Sequence, residues 1–222
     1  MESNPHAASP GGARSVPWRG HALPTAFPRP TMPTLREPPV LTTARLTLRL
    51  AEAGDAEAIA RYFVENHDHL ASTRPRMEAE FFTAEFWRSQ SQASRSEFRG
   101  DRSLRLFMWE HANPGRVIGN ANFTQFVRGA AHYCVLGYGI AADREGHGLM
   151  REGLAAAIEY VFRELNMHRV MANFFPWNRR SGGLLRRLGF VVEGYARDYL
   201  YLDGEWQDHV LTSLTNAEWR AG

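Results

Sequence analysis

The sequence predicts a mixed α/β fold of the α+β type, in which four helices flank a largely antiparallel seven-stranded sheet. Several short segments alternate apolar and polar residues, which is the period of a half-buried strand. Other segments repeat their apolar residues every 3.6 positions, as a core-facing helix does. Turn signals such as Asp203-Gly204 separate neighbouring strand segments, which favours antiparallel hairpins.

The first half of the chain contains four of the predicted strands and two of the helices. Leucines at 46, 48 and 50 alternate with polar residues, so residues 41–50 are predicted to form a strand. A helix follows from Asp55, and a second helix is expected over residues 78–93. Three further strands are predicted at 103–109, 116–126 and 132–142, the first two joined by a turn at Asn113-Pro114-Gly115.

The second half begins with the clearest helix signal in the chain. From Leu149 to Leu165 the apolar residues keep a 3.6-residue period, which predicts a long helix with one face in the core. The order then continues with a strand, a helix and two more strands. These elements are predicted at 168–175, 178–188, 190–202 and 207–214.

Composition indicates one globular domain over residues 39–220. Of the 222 residues, 44% are hydrophobic and 23% charged, and no apolar run approaches the roughly 18 residues of a membrane span. The net charge of +2 is too balanced to indicate nucleic-acid binding. The only cysteine, Cys134, cannot form an internal disulfide, which favours a reducing, cytoplasmic location. Nine histidines lack the spacing of a metal site, so no metal is expected.

Residues 1–38 differ from the rest of the chain. Nine of the 12 prolines lie between Pro5 and Pro39, among Gly, Ser and Arg and without apolar periodicity. Such a segment buries too little surface to offset the entropy of ordering, so a disordered tail is predicted. Met32 is an alternative start residue.

A short polar loop, Arg144-Glu145-Gly146-His147-Gly148, lies between a predicted strand and the long helix. Two glycines allow a tight turn with exposed backbone N–H groups, and the helix dipole adds partial positive charge at the same place. The loop therefore predicts a phosphate-binding site. Arginines at 179, 180, 186 and 187 either contact the same phosphates or face water.

A second motif follows about thirty residues later, formed by Asn178, Ser181, Leu184, Gly189 and Phe190. Asn178 also suits a helix N-cap, and Gly189-Phe190 suits a helix end. Together with the loop and the order of elements, this motif resembles the acyl-CoA site of the GNAT superfamily of N-acetyltransferases. The resemblance covers about residues 40–216, is dense across the last third of the chain and is thinner before Arg116. In that last third, the runs at 167–173, 178–182, 188–196, 198–200 and 203–209 are similar to the RimJ-like branch, which acetylates N-terminal alanine in ribosomal proteins.

The resemblance implies acetyl-CoA as co-substrate, held where the strand at 132–142 splays from the strand at 168–175. Gly137 and Gly139 then mark a bulge or a close backbone approach. Asp143 occupies a position where the family has Arg or Gln, so Arg144 is expected to supply the positive charge. The implied coenzyme contacts are Ile140, Ala141, Arg144, Gly146, His147, Gly148, Leu149, Met150, Asn178 and Ser181.

The resemblance also implies a direct acyl transfer in a ternary complex. A backbone N–H near Ile140 or Ala141 would stabilise the oxyanion. The family's tyrosine is Leu185 here, so Ser181 is expected to act as the general acid. Asp198 and Glu193 are candidates to relay the proton of the amine, although an α-amine with a pKa near 8 requires little help.

The implied acceptor is the N-terminal alanine of a ribosomal protein, and association with the ribosome follows from that acceptor. Two alternatives remain open at this point. One is a GNAT enzyme for a small-molecule amine, such as a polyamine or an antibiotic, and several carboxylates in the acceptor groove would favour it. The other is a non-catalytic coenzyme A-binding or ribosome-associated module. Covalent catalysis by Cys134 is disfavoured because no partner histidine has a recognisable spacing.

Overall fold

A computed structural model describes residues 37–221. The predicted tail, residues 1–38, lies outside the described residues except for its last two positions. The helices are α1 Ala56–Glu65, α2 His67–Ala71, α3 Ala84–Arg99, α4 Leu149–Arg163 and α5 Arg179–Arg187, with 3₁₀ turns at Ala53–Asp55, Ala79–Phe82 and Ala142–Arg144. The strands are β1 Val40–Thr42, β2 Leu46–Arg49, β3 Leu104–Glu110, β4 Asn113–Val127, β5 Tyr133–Ile140, β6 Arg169–Met171, β7 Val191–Leu202 and β8 Glu205–Thr215.

All described strands belong to one mixed, largely antiparallel sheet in the order β1-β2-β3-β4-β5-β6-β8-β7. Only β5 and β6 are parallel, because α4 connects them by a crossover. The predicted fold class is confirmed, with eight strands where the sequence predicts seven. The extra strand arises because residues 41–50 fold back on themselves, and the Thr43 hydroxyl accepts the Leu46 N–H at 3.0 Å inside the turn.

Several predicted boundaries are wrong in their detail. The strand predicted at 168–175 is only the short β6, Arg169–Met171. The β3–β4 turn lies at His111 and Ala112, so Asn113 is already paired with Glu110. A register shift beside this pair accommodates Pro114, which cannot donate to a regular ladder. The second predicted helix starts six residues late, since Thr83 caps α3 by accepting the Phe86 N–H at 3.3 Å.

The two faces of the sheet carry separate apolar cores. Helices α4 and α5 cover one face with residues such as Leu154, Val161 and Leu185. The other face packs against α1 through α3, where Phe63 stacks on Trp87 with ring centroids 5.0 Å apart. Cys134 is fully buried in the first core, and this burial raises the pKa of its thiol to about 12. The thiol is therefore protonated and a poor nucleophile.

The sheet is split along its parallel pair. Strand β5 pairs with β6 only from Tyr133 to Val135, whereas its remaining residues up to Ile140 pair with β4 alone. Beyond β6 the chain continues through the Phe174–Val210 bridge to β8. The predicted splay is thus present, and it leaves one edge of β5 open between α4 and α5.

Within residues 37–221, no helix combines the length and apolarity that crossing a bilayer requires. The same part of the chain holds no cluster of three or more His, Cys, Asp or Glu side chains suited to a metal ion.

Candidate active site

A cavity of about 1000 Å³ fills the split of the sheet. Its walls come from the open edge of β5, the loop at 144–148 and the first turn of α4, together with the end of α2 and one side of α5 along its length. This is the position at which the two sequence motifs meet. Eight predicted coenzyme contacts line it: Ile140, Arg144, Gly146, Gly148, Leu149, Met150, Asn178 and Ser181.

Six consecutive backbone N–H groups, from Gly146 to Arg151, have no hydrogen-bond acceptor among the described residues. The first α4 bond that closes on this region is Glu152 N–H to the Gly148 carbonyl at 3.1 Å. Free N–H groups at a helix start, combined with the helix dipole, form a site for an anion. The φ angles of Gly146 (+78°) and Gly148 (+76°) lie in the left-handed region, which favours glycine.

Residues of the β1–β2 turn form hydrogen bonds with the loop at 144–148 and with the first turn of α4. Arg45 donates through Nη1 to the His147 carbonyl at 3.0 Å, and its Nε donates to Glu152 at 2.7 Å. Thr43 donates to the same Glu152 carboxylate at 2.6 Å. The His147 ring contacts the Glu145 carbonyl at 2.8 Å and does not line the cavity, in contrast to its predicted role.

The charge of Arg144 is compensated, contrary to the expectation that it supplies the positive potential. Its Nε donates to Glu110 at 2.7 Å and its Nη1 to Asp143 at 3.0 Å. Asp143 also accepts both Nη groups of Arg116, at 2.8 and 3.0 Å, so it serves an ion-pair network outside the cavity. Hydrogen bonds from Arg116 hold the pKa of Asp143 below its usual range.

Other arginines provide the cationic lining. Arg151, Arg179 and Arg187 line the cavity and form no ion pair with any described residue. Arg180 lines it too but pairs with Glu145. Three uncompensated guanidinium groups beside free N–H groups suit a ligand with several phosphate charges.

Asn178 and Ser181 are placed by the first turn of α5. The Asn178 side-chain oxygen accepts the Ser181 N–H at 3.0 Å, which is an N-cap interaction. The Ser181 hydroxyl lies 2.7 Å from the hydroxyl of Tyr138 on β5. Leu185, at the family's tyrosine position, is buried in the core and cannot reach the cavity.

The two predicted oxyanion donors differ in availability. The Ala141 N–H donates to the Ile118 carbonyl at 2.8 Å, and Ala141 does not line the cavity. Because antiparallel pairing alternates along a strand, the N–H of Ile140 points away from β4. It faces the split edge, where β6 no longer pairs with β5. Ile140 is therefore the candidate donor.

A second cavity, of about 380 Å³, adjoins the first on the side of α1 and α3. The two cavities share Leu70, Thr73, Tyr138 and Gly139 as lining residues. Because side chains alternate along β5, Gly137 and Gly139 face this second cavity while Tyr138 packs toward α4 and α5. An added Cβ at Gly137 would meet no atom within 4 Å, so the missing side chain leaves open space.

Of the two features predicted at these glycines, the bulge is absent, because β4 and β5 pair continuously from Thr124↔Val135 to Gly119↔Ile140. The close backbone approach is present at Gly139, where a Cβ would lie 3.3 Å from both Asn120 Oδ1 and Leu70 Cδ2.

The second cavity is aromatic and carries no carboxylate among its described lining residues. The guanidinium of Arg74 lies 4.6 Å from the ring centroids of both Phe63 and Phe81. Burial lowers the pKa of Arg74, though an arginine remains charged at neutral pH. The other cation, Arg105, is paired with Glu97 at 3.1 Å.

The two carboxylates predicted to relay the amine proton line neither cavity. Glu193 pairs with Arg169 and accepts the Ser213 hydroxyl at 2.8 Å, and the Arg169 hydrogen bond lowers its pKa. Asp198 occupies an irregular point of β7 with φ of +49°, exposed to solvent. Glu193 is held by its ion pair and Asp198 is exposed on the edge strand β7, so the geometry does not support a catalytic role for either.

Sequence reasoning missed Tyr138. The available signal was its position between two glycines in an otherwise apolar strand. Its hydroxyl contact with Ser181 depends on how β5 and α5 meet across the split, which no local pattern encodes.

Comparison with known proteins is consistent with this geometry. The family model for the acetyltransferase (GNAT) domain matches residues 45–191. The [ribosomal protein uS5]-alanine N-acetyltransferase of Escherichia coli K12 is 44% identical over 182 residues, which are 82% of this chain and 93% of that protein.

Two solved structures have the same fold. The ribosomal-protein-S5-alanine acetyltransferase of Vibrio fischeri is 32% identical with a TM-score of 0.78, over 82% of this chain and 99% of that one. Mycobacterium smegmatis RimJ, in complex with CoA-disulfide, is 28% identical with a TM-score of 0.72, over 80% and 85% of the two chains.

Proposed function

Because the chain belongs to the GNAT acetyltransferase family, we propose that it transfers the acetyl group of acetyl-CoA to the α-amino group of an N-terminal alanine in a ribosomal protein. The observation that carries this proposal is the meeting of two cavities at Tyr138 and Gly139. One has the anion-binding groups that a coenzyme requires, and the other is a small chamber for an acceptor. The E. coli relative that is 44% identical acts on alanine in uS5, which supports the choice of acceptor.

The coenzyme would occupy the larger cavity with its diphosphate on the N–H groups of residues 146–151. Arg151, Arg179 and Arg187 would balance the remaining phosphate charge. The pantetheine arm would then run along the open edge of β5, past Asn178. This direction brings the thioester to the shared wall near Tyr138 and Ser181.

The reaction we propose is a direct transfer in a ternary complex. The neutral amine attacks the thioester carbonyl, the carbon–nitrogen bond forms, and the carbon–sulfur bond breaks with its electron pair on sulfur. The Ile140 N–H is placed to stabilise the oxyanion. The hydroxyl pair of Ser181 and Tyr138 lies beside the leaving sulfur. The proton released by the amine passes to solvent.

The second cavity supports a small neutral N-terminus over a polyamine. Among its described lining residues there is no carboxylate to attract a second ammonium group, and Arg74 would repel one. A nearby cation also lowers the pKa of a bound amine, which increases the neutral, reactive fraction. An α-amine with a pKa near 8 is therefore a better acceptor here than a side-chain amine near 10.4. We place the reaction in the cytoplasm, where ribosomal proteins are made.

The test is turnover with synthetic peptides. The purified protein is incubated with acetyl-CoA and a peptide that begins with alanine, and both free thiol and peptide mass are measured. The same peptide with a blocked N-terminus is the matched control, and spermidine tests the small-molecule alternative. We expect a mass gain of one acetyl group on the unblocked peptide alone. Binding of acetyl-CoA without transfer to any amine would instead support the non-catalytic module.

A further inference from the structure

Tyr138 combines three features that no other described residue combines. It lies on the open edge of β5, lines both cavities, and its hydroxyl contacts the Ser181 hydroxyl at 2.7 Å. Gly137 and Gly139 on either side keep the backbone near it free of side chains. The phenol hydroxyl thus meets a residue of the coenzyme cavity, while Tyr138 also lines the acceptor cavity.

A phenol at this point differs chemically from the serine beside it. A tyrosine hydroxyl is a far stronger hydrogen-bond donor to an anion than an aliphatic hydroxyl, because its pKa is near 10 in water. Burial raises the pKa of Tyr138 to about 12, while the hydrogen bond with Ser181 opposes that rise. The phenol therefore keeps its proton throughout the working pH range and remains able to donate it in a hydrogen bond.

We propose that Tyr138 is the group that stabilises the departing coenzyme A thiolate, and that Ser181 positions its hydroxyl. The Tyr138 O–H donates a hydrogen bond to the sulfur as the carbon–sulfur bond breaks and negative charge develops there. No proton has to leave the phenol, since the charge on sulfur is balanced when the amine releases its own proton to solvent. Because the single Tyr138 O–H is directed to the sulfur, the Ser181 hydroxyl donates to the Tyr138 oxygen and fixes the orientation of the phenol.

This assignment rests on the proposed function and departs from the general acid that the family resemblance implies. It replaces Ser181 as the principal donor, and it gives the chain a tyrosine from β5 where Leu185 on α5 is buried in the core. Donation to the sulfur by Ser181 and donation by Tyr138 involve the same pair of hydroxyls. The two hypotheses therefore differ in which hydroxyl, when removed, lowers kcat more.

The experiment compares Tyr138→Phe, Ser181→Ala and the double variant of the full chain. We expect Tyr138→Phe to lower kcat by about 100-fold, as is typical for losing a hydrogen bond to developing charge. Ser181→Ala should lower kcat by about fivefold, the effect of one neutral hydrogen bond. The double variant should resemble Tyr138→Phe, because residues acting as one unit are not additive. The KM for acetyl-CoA should change by less than about twofold, because the bond forms mainly in the transition state.

A matched control and a pH series separate catalysis from structure. Tyr201→Phe removes a hydroxyl from an exposed tyrosine of β7 outside both cavities and should keep full activity. The loss caused by Tyr138→Phe should be constant from about pH 6.5 to 9, because the phenol stays neutral. If the Tm of Tyr138→Phe falls so far that the unfolded fraction at the assay temperature accounts for the lost activity, the residue has a packing role and the assignment is overturned.

A second assay distinguishes failure of the Tyr138 assignment from failure of the proposed acceptor. The same variants are compared in the slow hydrolysis of acetyl-CoA by water, which requires a leaving thiolate but no particular acceptor. Wild-type hydrolysis without peptide transfer would refute the proposed acceptor while still measuring the Tyr138 effect. Equal rates for wild type and Tyr138→Phe, or a larger loss in Ser181→Ala, would overturn this inference in either assay.

Discussion

The substitution Gly148→Ala tests the backbone anion site at the start of α4. Gly148 has φ of +76°, and an added Cβ would meet only Arg45 Nη2, at an ordinary 3.6 Å. The cost therefore comes from the left-handed backbone, about 1–2 kcal/mol for a residue with a Cβ. For a domain of this size that corresponds to a fall in Tm of roughly 2–8 °C.

The effect on the coenzyme should exceed the effect on stability. A backbone that relaxes away from +76° turns at least one N–H out of the anion site. A hydrogen bond to a charged group contributes about 1.5–3 kcal/mol, so losing one weakens acetyl-CoA binding by roughly 10- to 100-fold. Isothermal titration calorimetry with acetyl-CoA measures this Kd, and differential scanning calorimetry measures Tm.

Two other glycines provide matched controls. Gly129 has φ of +72° and no atom within 4 Å of an added Cβ, but lies outside the coenzyme cavity. Gly129→Ala should therefore lower Tm as Gly148→Ala does while leaving the Kd unchanged. Gly54→Ala meets no atom within 4 Å and needs no positive φ, so it should change neither quantity. If Gly148→Ala binds acetyl-CoA as tightly as Gly129→Ala does, the backbone site is not where the diphosphate binds.

Three further perturbations address the acceptor cavity, the α5 cap and the anchor of the loop. Gly137→Val places its Cβ where no atom lies within 4 Å and should fill part of the acceptor cavity, raising the KM for an alanine peptide at least tenfold at an unchanged Kd for acetyl-CoA. An unchanged peptide KM would show that the acceptor binds elsewhere. Asn178→Ala removes the α5 cap, so it should cost about 1 kcal/mol in urea unfolding and also weaken acetyl-CoA binding, whereas full retention of both would remove Asn178 from the site. Burial raises the pKa of Glu152, but hydrogen bonds from Thr43 and Arg45 outweigh it and hold that pKa below its usual range. The stability advantage of wild type over Glu152→Gln should therefore be present above about pH 4.3 and disappear as the pH falls through the lowered pKa, and urea titrations that show no pH dependence in this difference would contradict the ion-pair anchor.

The elements that were predicted correctly are those whose signal is local. The 3.6-residue period from Leu149 and the glycines of the loop depend on neighbours in sequence, and both are present in the structure. The cap at Asn178 is local in the same way. The fold class follows because these elements occur in a fixed order, and the family resemblance supplied the splay between β5 and β6.

Features that depend on distant partners were missed or misassigned. The charge of Arg144 is compensated by Glu110, thirty-four residues away in the chain. Glu193 was a reasonable base on sequence grounds, yet its partner Arg169 lies on another strand. Tyr138 meets Ser181 only because the sheet opens between β5 and β6. Patterns of polarity do not encode such pairings, since they are set by tertiary packing.

The wall that the two chambers have in common has a practical consequence for inhibition. A conjugate that joins the sulfur of coenzyme A to the nitrogen of alanine through a short acyl bridge would reach both cavities beside their shared residues Tyr138 and Gly139. Such a conjugate loses its translational freedom once instead of twice, so it should bind far more tightly than either half. The narrow aromatic chamber would exclude conjugates built on bulky residues. A graded set of these compounds would therefore measure in solution how large a residue the acceptor cavity admits.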